Sequence, residues 1–273
     1  MSQDAGAAAA EGSVTASRSG GMLRIVLDRP ARRNSLTPWM IERLIELLTE
    51  AATDDSLRVV HLGGAGNDFC AGADWVATND SSDERPRAGA LVRRVPHAAH
   101  RVIELIHMIQ LPVVCSVRGW AVGMGCNLAL AADFTVAAVD AMFWEPFVER
   151  GFSPDSGATW LLPRLIGLAR ARRMLLLGEK VGAADAADWG LIHDAVAPSE
   201  LDDTVDALLT RLAGGPTVAI GLAKQAMNHA AHATLGQAMT QELFNLEMSC
   251  RTKDFKEGLD AFRQRRAPEF RGR

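Results

Sequence analysis

Short β-branched apolar runs alternate with longer stretches of helical apolar spacing over most of the chain. The short runs predict strands at residues 13–17, 22–27, 57–62, 113–117 and 134–143, with Gly20-Gly21 as the turn between the first two. Helical spacing recurs at residues 37–48, 92–110, 126–132 and 157–165, and the first of these helices has Thr37 as its cap and Pro38 as its first residue. This order of strands and helices predicts an α/β core.

From residue 168 onward the pattern predicts helices, at residues 168–177, 183–189, 199–213, 216–230, 234–250 and 255–266. We therefore divide the chain into a disordered tail at residues 1–12, an α/β core at residues 13–197 and a helical region at residues 198–273. Residues 78–89 are polar, contain Pro and Gly and lack periodicity, which predicts a mobile loop within the core.

Composition excludes several classes of function. The chain has 273 residues, of which 48% are hydrophobic, and that share is enough for a sizeable core. Its net charge is −4 with no long basic run, so neither nucleic acid nor an anionic membrane surface is expected as a main partner. No apolar run reaches the ~18 residues of a membrane span. Residues 1–12 lack the basic residues of a signal or transit peptide, so we expect a cytoplasmic protein.

Cysteine and histidine positions do not predict a metal site. The four cysteines are Cys70, Cys115, Cys126 and Cys250. They show no C-x-x-C spacing, and most lie in apolar or glycine-rich segments, which predicts reduced thiols in the core. His97, His100 and His107 can share one helix face, but no Cys or Glu pattern completes a ligand set around them. We expect a solvated histidine-bearing helix there.

The segment at residues 111–134, LPVVCSVRGWAVGMGCNLALAADF, combines a buried strand, a glycine-rich turn and a helix. The first amides of a helix have no partner inside it, so such a turn can present N–H groups to an oxygen atom. A dinucleotide site needs G-x-G-x-x-G, and here Gly123 and Gly125 are followed by Leu128. Two interpretations remain at this point, an oxyanion hole and a tight turn that only packs.

Five segments, in order along the chain, resemble the enoyl-CoA hydratase/isomerase (crotonase) family. They are LDRPARRNSL, GAGNDFCAGAD, the segment at residues 111–134, PDSGATWLLPRLIG with the later WGLI, and KEGLDAFRQRRAPEF. The resemblance covers nearly the whole chain from about residue 13. It implies a spiral of strand-strand-helix units with a C-terminal helical trimerisation region, and hence a homotrimer or hexamer. It also implies an acyl-CoA substrate, with coenzyme A present as part of the substrate and no separate cofactor.

The resemblance assigns roles to individual residues. The amides of Ala73 and Met124 match the two that polarise the thioester carbonyl, and Met124 replaces a common glycine of which only the N–H is needed. The substrate-binding positions that it implies are Arg32, Arg33, Ala71, Asp74, Asn127, Phe147, Phe262 and Arg265. Among them, Arg32 and Arg33 match the region near the CoA phosphates. Phe262 and Arg265 match adenosine and phosphate contacts that a neighbouring subunit makes.

The two catalytic glutamates of family hydratases are absent from the matching positions. Asn127 occupies the first and Phe147 the second, and neither side chain can take up a proton near neutral pH. Asp155 matches the position at which dienoyl-CoA isomerases and phenylacetate-pathway ring-epoxide isomerases carry an aspartate. We expect it to be desolvated in an aromatic pocket of Phe143, Trp144 and Phe147, although an Asp before Ser-Gly is also a common turn or cap residue.

The sequence thus favours an isomerase in which Asp155 moves a proton while the Ala73 and Met124 amides hold an enolate. The alternative enzyme is an enoyl-CoA hydratase of fatty acid β-oxidation that works through Glu145 or Glu149, although we expect both of these glutamates on solvated faces. A catalytically weak acyl-CoA-binding paralogue is the third possibility. Acyl chain length, and the choice between a linear and a ring substrate, stay open.

Overall fold

The computed structural model describes residues 12–74 and 87–273. Its strands are β1 Ser13–Ser19, β2 Met22–Asp28, β3 Val59–Gly64, β4 Val113–Val117, β5 Trp120–Val122, β6 Phe134–Ala138, β7 Met142–Trp144, β8 Val181–Gly182 and β9 Asp194–Val196. Its helices are α1 Pro38–Ala51, α2 Ala90–Arg94, α3 Ala99–Met108, α4 Met124–Ala131, α5 Ala158–Leu177, α6 Ala183–Trp189, α7 Leu201–Ala213, α8 Thr217–Ala230, α9 Leu235–Ser249 and α10 Lys253–Gln264. Short 3-10 turns lie at Pro30–Arg32, Val95–His97 and Val148–Arg150.

The strands form two sheets. The larger has the order β1-β2-β3-β4-β6-β9, antiparallel between β1 and β2 and parallel elsewhere. The smaller has the order β5-β7-β8. Two isolated parallel bridges extend it: Leu36 to Ala73 pairs the loops that follow β2 and β3, and Cys70 to Ala121 pairs the second of these loops with β5. Successive units therefore give a strand to the larger sheet, a strand or bridge to the smaller one, and then a helix, so the predicted α/β spiral is confirmed.

Both faces of the parallel strands are covered, which explains their continuous apolar runs. Val60 and Val113 are register partners and face the main core, where α1, α3 and α4 pack. Val59 and Val114 face the opposite side and pack against Leu201, Val205 and Leu209 of α7. The division that we predict at residue 197 stays a prediction, although α7 packs directly on the sheet.

The last three helices lie beyond the sheet and are anchored by polar contacts. Lys224 of α8 is buried, and its Nζ donates to the Ile106 and Leu111 carbonyls and to Asp133 Oδ2 at 2.6 Å. By contrast, α9 contains no buried residue, and large apolar side chains are exposed along it. These are Leu235, Met239, Leu243, Phe244, Leu246 and Met248.

Most predicted elements are confirmed, and the errors have local causes. The helix predicted at residues 92–110 is interrupted by a 3-10 turn that contains Pro96, because proline removes a helical N–H. The strand predicted at residues 134–143 is two strands in different sheets, β6 and β7. The helices predicted at residues 157–165 and 168–177 are joined in α5 across Gly167, whose φ of 72° kinks the helix.

Some features of the sequence lie outside or at the edge of what the structure describes. The predicted tail is outside the described residues except for Gly12, and so is the predicted loop at residues 78–89 up to residue 86. Within the described ranges, no helix is both long and apolar enough to cross a membrane.

Candidate active site

Two backbone segments meet face to face at the edge of the smaller sheet. Gly72 and Gly123 have φ angles of 87° and 53°, which side chains rarely tolerate. A Cβ atom on Gly72 would lie 2.7 Å from the Val122 carbonyl oxygen and 3.5 Å from the Met124 nitrogen. The Gly123 N–H donates to the Trp144 carbonyl at 2.8 Å, which fixes the second turn. Glycine is therefore required for the close approach of the two segments.

The amides of Ala73 and Met124 are the unpaired donors of these segments. Leu36 bonds to the Gly72 carbonyl and to the Asp74 N–H, so the Ala73 N–H points away from this pairing. Met124 is the first residue of α4, and the amide at that position has no acceptor inside a helix. Among the described residues, neither amide has a hydrogen-bond acceptor. The predicted pair of amides is thus available to bind an oxygen atom.

A cavity of about 360 Å³ opens beside both residues, and we call it the main cavity. Its apolar lining includes Leu36, Ile41, Leu91, Val95 and Phe147. The carboxyl groups that line it among the described residues are Glu42, Asp74 and Asp155. Its volume and its mostly apolar walls with a few polar groups are typical of a small-molecule site.

Asp155 enters the main cavity from the loop before α5. Ser156 and Gly157 follow it with φ angles of 56° and 86°, so the chain reverses sharply there. The Asp155 carbonyl accepts from the Ala158 N–H, whereas its carboxylate Oδ1 lies 2.5 Å from His100 Nε2. The carboxylate does not cap α5, because Gly157 is the cap residue and makes no side-chain bond. The side chain is therefore held in the cavity rather than used as a cap.

The aromatic, desolvated pocket expected around Asp155 is wrong in two respects. The Asp155 side chain keeps 31% of its exposure. Only Phe147 of the three expected aromatic residues lines the main cavity, because Phe143 is fully buried in β7 and Trp144 lines a different cavity.

The expectation of three solvated histidines holds only for His97, which is exposed. His100 binds Asp155 and is partly covered. His107 packs edge-on against Trp160 with a ring-centre distance of 5.1 Å, and burial lowers its pKa. No sequence signal links His100 to Asp155, since 55 residues separate them.

Asn127 does not line the main cavity, in contrast to its predicted substrate contact. Its side chain is fully buried, and Nδ2 lies 3.2 Å from the Gly123 carbonyl and 3.4 Å from the Asp155 carbonyl. It therefore joins the glycine turn to the Asp155 loop. Phe147 does line the cavity, and its ring lies 3.9 Å from the position of a Cβ on Gly123.

The two alternative acids differ from each other. Glu149 is exposed as predicted, but Glu145 is fully buried, so its predicted solvated position is wrong. Burial raises the pKa of Glu145 well above its usual value, and the Cys126 thiol beside it offsets this only in part. Neither glutamate lines the main cavity. Glu145 follows the last residue of β7, Trp144, and precedes Pro146. The alternation of side chains along a strand therefore does not determine which way Glu145 points.

A second cavity of about 140 Å³, the tryptophan cavity, is lined by Trp120 and Trp144. Arg33 and Arg150 line it as well, and Lys180 Nζ lies 4.6 Å from the Trp144 ring centre. Three cations around two half-buried indole rings suit an anionic, planar ligand. Trp144 was expected beside Asp155 and lies here instead, whereas Trp120 and Arg150 were not predicted, because β5 and β7 bring these residues together only in the fold.

The backbone links the two cavities. Ala71 and Val122 line the tryptophan cavity, whereas Ala73 and Met124, each two residues later, line the main cavity. An extended ligand that lies along these two segments can therefore reach from one cavity to the other past the unpaired amides.

The remaining predicted residues differ in whether they line one of these cavities. Asp74 lines the main cavity and forms an ion pair of 2.7 Å with Arg29. Arg32 is exposed in a 3-10 turn and lines neither cavity. Phe262 is 83% exposed on α10, and Arg265 ends that helix, so in a single chain neither contributes to the site. Their role across subunits stays a prediction.

The described residues contain no cluster of three or more His, Cys, Asp or Glu side chains that could hold a metal ion. All four cysteines lie within the described ranges and are free, and burial raises the pKa of Cys70 to about 12.

Comparison with known proteins gives consistent results. The family model described as enoyl-CoA hydratase/isomerase matches residues 17–273. A 1,2-epoxyphenylacetyl-CoA isomerase of Escherichia coli (strain K12) is 38% identical over 93% of this chain and 96% of its own length. A probable enoyl-CoA hydratase of Rhodobacter capsulatus is 37% identical over the same shares. An enoyl-CoA hydratase/isomerase structure from Mycobacterium abscessus, 34% identical, superposes with a TM-score of 0.88 and covers 96% of this chain and all of that one.

Proposed function

The chain belongs to the enoyl-CoA hydratase/isomerase family, and on that premise we propose that it is an acyl-CoA isomerase. In this proposal a proton leaves one carbon of the acyl group and returns to another, through an enolate of the thioester. The observation that carries the proposal is the main cavity itself, which brings Asp155 together with the residues of the two unpaired amides.

The amides of Ala73 and Met124 form the oxyanion hole in this proposal. Loss of a proton beside a thioester places negative charge on the carbonyl oxygen, and fixed N–H donors stabilise that charge as it develops. Their lack of an acceptor among the described residues and their position at the cavity wall support this role. Because the amides supply the electrophile, we propose that the reaction needs no metal ion and no cofactor apart from the CoA of the substrate.

Asp155 is the proton carrier in the proposal. Of the other two acids in the cavity, Asp74 is paired with Arg29, and Glu42 is exposed on α1. Isomerisation needs one base that removes a proton and returns it, whereas hydration also needs a group that activates water. Phe147 places a phenyl ring at the matching position of the second hydratase glutamate, which supports the first reaction.

We place the nucleotide part of CoA in the tryptophan cavity. Arg33, Arg150 and Lys180 supply positive charge, and the rings of Trp120 and Trp144 supply a surface for a base. Ala71 lies in the wall of this cavity, and the two backbone segments lead from there to the unpaired amides. Arg32, Phe262 and Arg265 contribute in this proposal only through phosphates that extend over the surface or through a second subunit.

The acyl group occupies the apolar main cavity. The E. coli relative is named for a CoA thioester that carries a ring, and this name supports a ring substrate among the candidates to be tested. Linear dienoyl and enoyl thioesters form the other group.

The second candidate function is an enoyl-CoA hydratase, which the names of several relatives favour. The position of Glu145 and Glu149 outside the main cavity is an argument against it. A paralogue that binds acyl-CoA without turnover is the third candidate.

We also propose a homotrimer or hexamer. Six large apolar side chains are exposed on α9, and an apolar surface of this kind is typical of a subunit interface. A cytoplasmic location is part of the proposal too, because free cysteines fit a reducing compartment.

Mass spectrometry of the products from a panel of thioesters in deuterated water tests the reaction. The panel contains linear enoyl-CoA and dienoyl-CoA compounds and a ring-epoxide acyl-CoA. An isomerase gives products with the mass of the substrate, apart from any deuterium taken up from the solvent, whereas a hydratase adds the mass of one water. CoA affinity without any product would support the binding paralogue and overturn the proposed function.

A further inference from the structure

His100 lies behind Asp155, on the side away from the main cavity. It projects from α3, whose Val102, Ile103 and Ile106 are buried in the main core and hold the helix in place. His100 lines a third cavity of about 450 Å³, the histidine cavity, together with His107 and Trp160. Asp155 lines the main cavity and His100 the histidine cavity, so their contact connects the two spaces.

The contact is short and must contain a proton. His100 Nε2 and Asp155 Oδ1 are 2.5 Å apart, and a nitrogen and an oxygen at this distance repel unless a hydrogen lies between them. The carboxylate form of Asp155 can only accept, so His100 Nε2–H is the donor. Nδ1 of His100 has no partner among the described residues.

This arrangement differentiates the two carboxylate oxygens. Oδ1 is engaged by the imidazole, so Oδ2 remains as the oxygen that can take up a proton. The backbone contributes to the same end, because Asn127 Nδ2 contacts the Asp155 carbonyl and the positive φ of Ser156 fixes the direction of the loop. His100 provides the only side-chain hydrogen bond that the described residues make with the carboxylate itself.

We propose that His100 is a positioning residue that orients Asp155 for proton transfer. The inference rests on the proposed function and identifies what positions the base of the same site. The Nε2–H of His100 holds Oδ1 and leaves Oδ2 directed at the main cavity.

Other charged groups face this pair. On α3, Glu104 lines the histidine cavity but is paired with Arg101 at 2.7 Å. His107 lines the same cavity, and burial lowers its pKa, so it is neutral at pH 7. His97 is exposed one turn earlier and lines neither cavity.

In the main cavity the neighbours of Asp155 are Glu42, Arg94 and the Asp74–Arg29 ion pair. Among the described residues, the Asp155 carboxylate makes its one side-chain hydrogen bond with His100, so these neighbours do not hold it in place.

The test compares three variants on one substrate that the wild-type enzyme isomerises. His100→Gln keeps an N–H donor. His100→Phe keeps a ring but has no donor. His97→Gln is the matched control, since it changes a histidine on the neighbouring turn that makes no contact with Asp155. The measurements are kcat and KM at one pH, with CoA-product affinity and the thermal unfolding temperature as folding controls.

We expect His97→Gln to keep the kcat of the wild type. His100→Gln should keep kcat within about fivefold, because it retains an N–H donor. His100→Phe should lose about 10- to 100-fold in kcat with little change in KM, the size expected when a reacting group is misplaced.

A loss of kcat in His100→Gln as large as that in His100→Phe would overturn the inference. So would a folded His100→Phe variant with the kcat of the wild type. If His100→Phe does not fold, His100→Leu replaces it as the variant without a donor. Failure of the proposed function is distinct, because it would appear as absent isomerisation by the wild type itself or as full turnover by Asp155→Asn.

Discussion

The two walls of the main cavity are made in different ways. One wall presents backbone N–H groups, at Ala73 and Met124, whose positions depend on the glycines at 72 and 123. The other wall presents the side chains of Phe147 and Asp155, and His100 contacts Asp155. A backbone wall tolerates a change of side chain, such as methionine at 124, whereas a side-chain wall changes its chemistry with a single substitution.

This difference separates two tasks in the proposed function. The backbone stabilises the enolate, which requires no particular side chain. The destination of the proton, and the use or exclusion of water, depend on a few side chains across the cavity. The predictions below test this separation, from the largest expected effect to the smallest.

Asp155→Asn is expected to reduce turnover most, by about 10²–10⁴-fold, because the amide keeps the shape but cannot take up a proton. The measurement is kcat on an isomerisable enoyl-CoA, with CoA-product affinity as the control for folding. Glu149→Gln is the matched control, since Glu149 is exposed and does not line the main cavity. Near-full turnover by Asp155→Asn would show that the Asp155 side chain takes no part in the reaction.

Met124→Pro tests the backbone wall. Proline has no N–H and is tolerated at the first position of a helix, which Met124 occupies in α4, so folding should be preserved. We expect turnover to fall by about 10²–10³-fold, the usual effect of losing one oxyanion donor. Met124→Leu retains the N–H and should keep most of the activity. A similar loss in both variants would mean that the side chain, not the amide, matters.

Trp144→Leu is expected to weaken binding of CoA by about 2- to 30-fold, because it removes the ring under Lys180, and a cation–π contact is worth about 0.5–2 kcal/mol. The value of kcat at saturation should stay unchanged, since Trp144 lines only the tryptophan cavity. Trp189→Leu is the matched control, because Trp189 also lies beside two arginines but lines neither cavity. Calorimetric titration with CoA measures the difference, and equal weakening in both variants would contradict the assignment.

Glu145→Gln should change turnover by less than about twofold, as expected for an acid outside the catalytic wall. Stability should respond instead. The pKa of Glu145 is raised in the folded state, so its stabilising contribution is complete below the unfolded pKa and decreases as pH rises. Glutamine cannot ionise, so the variant should unfold several degrees higher than the wild type at pH 8 and close to it at pH 5. Unfolding temperatures at the two pH values provide the check. A variant that folds but is inactive would favour the hydratase over the isomerase.

Part of the backbone wall could be predicted from the residues themselves. The turn at Gly123 lies between a buried strand and a helix start, which indicates unpaired amides, whereas the pairing of Ala73 with Met124 was implied by the family resemblance. The strands around them were predictable for the same reason, since their apolar runs reflect burial on both faces. The sequence did not correctly predict the helix break at Pro96 or the short strands β5, β7 and β8. The local patterns there were too weak or were misinterpreted.

The side-chain wall was predictable only in part. The identity of residues 127, 147 and 155 was plain from the sequence, but their surroundings were not. Asn127 was expected against the substrate and is buried between two loops, and Glu145 was expected in solvent and is fully buried. Burial of a polar side chain depends on what packs on it from distant segments, and no local period encodes that.

The sequence by itself thus determined the family, through five segments that resemble it, and also the α/β core and the glycine-rich turn at Gly123, because these depend on regular burial and on short-range backbone conformation. Only the tertiary structure decided the rest. It placed His100 against Asp155 across 55 residues, and it paired Trp120 with Trp144 through parallel strands. Contacts of this kind arise where the spiral stacks one unit on the next, and their geometry is set by the packing of whole helices and sheets rather than by neighbouring residues.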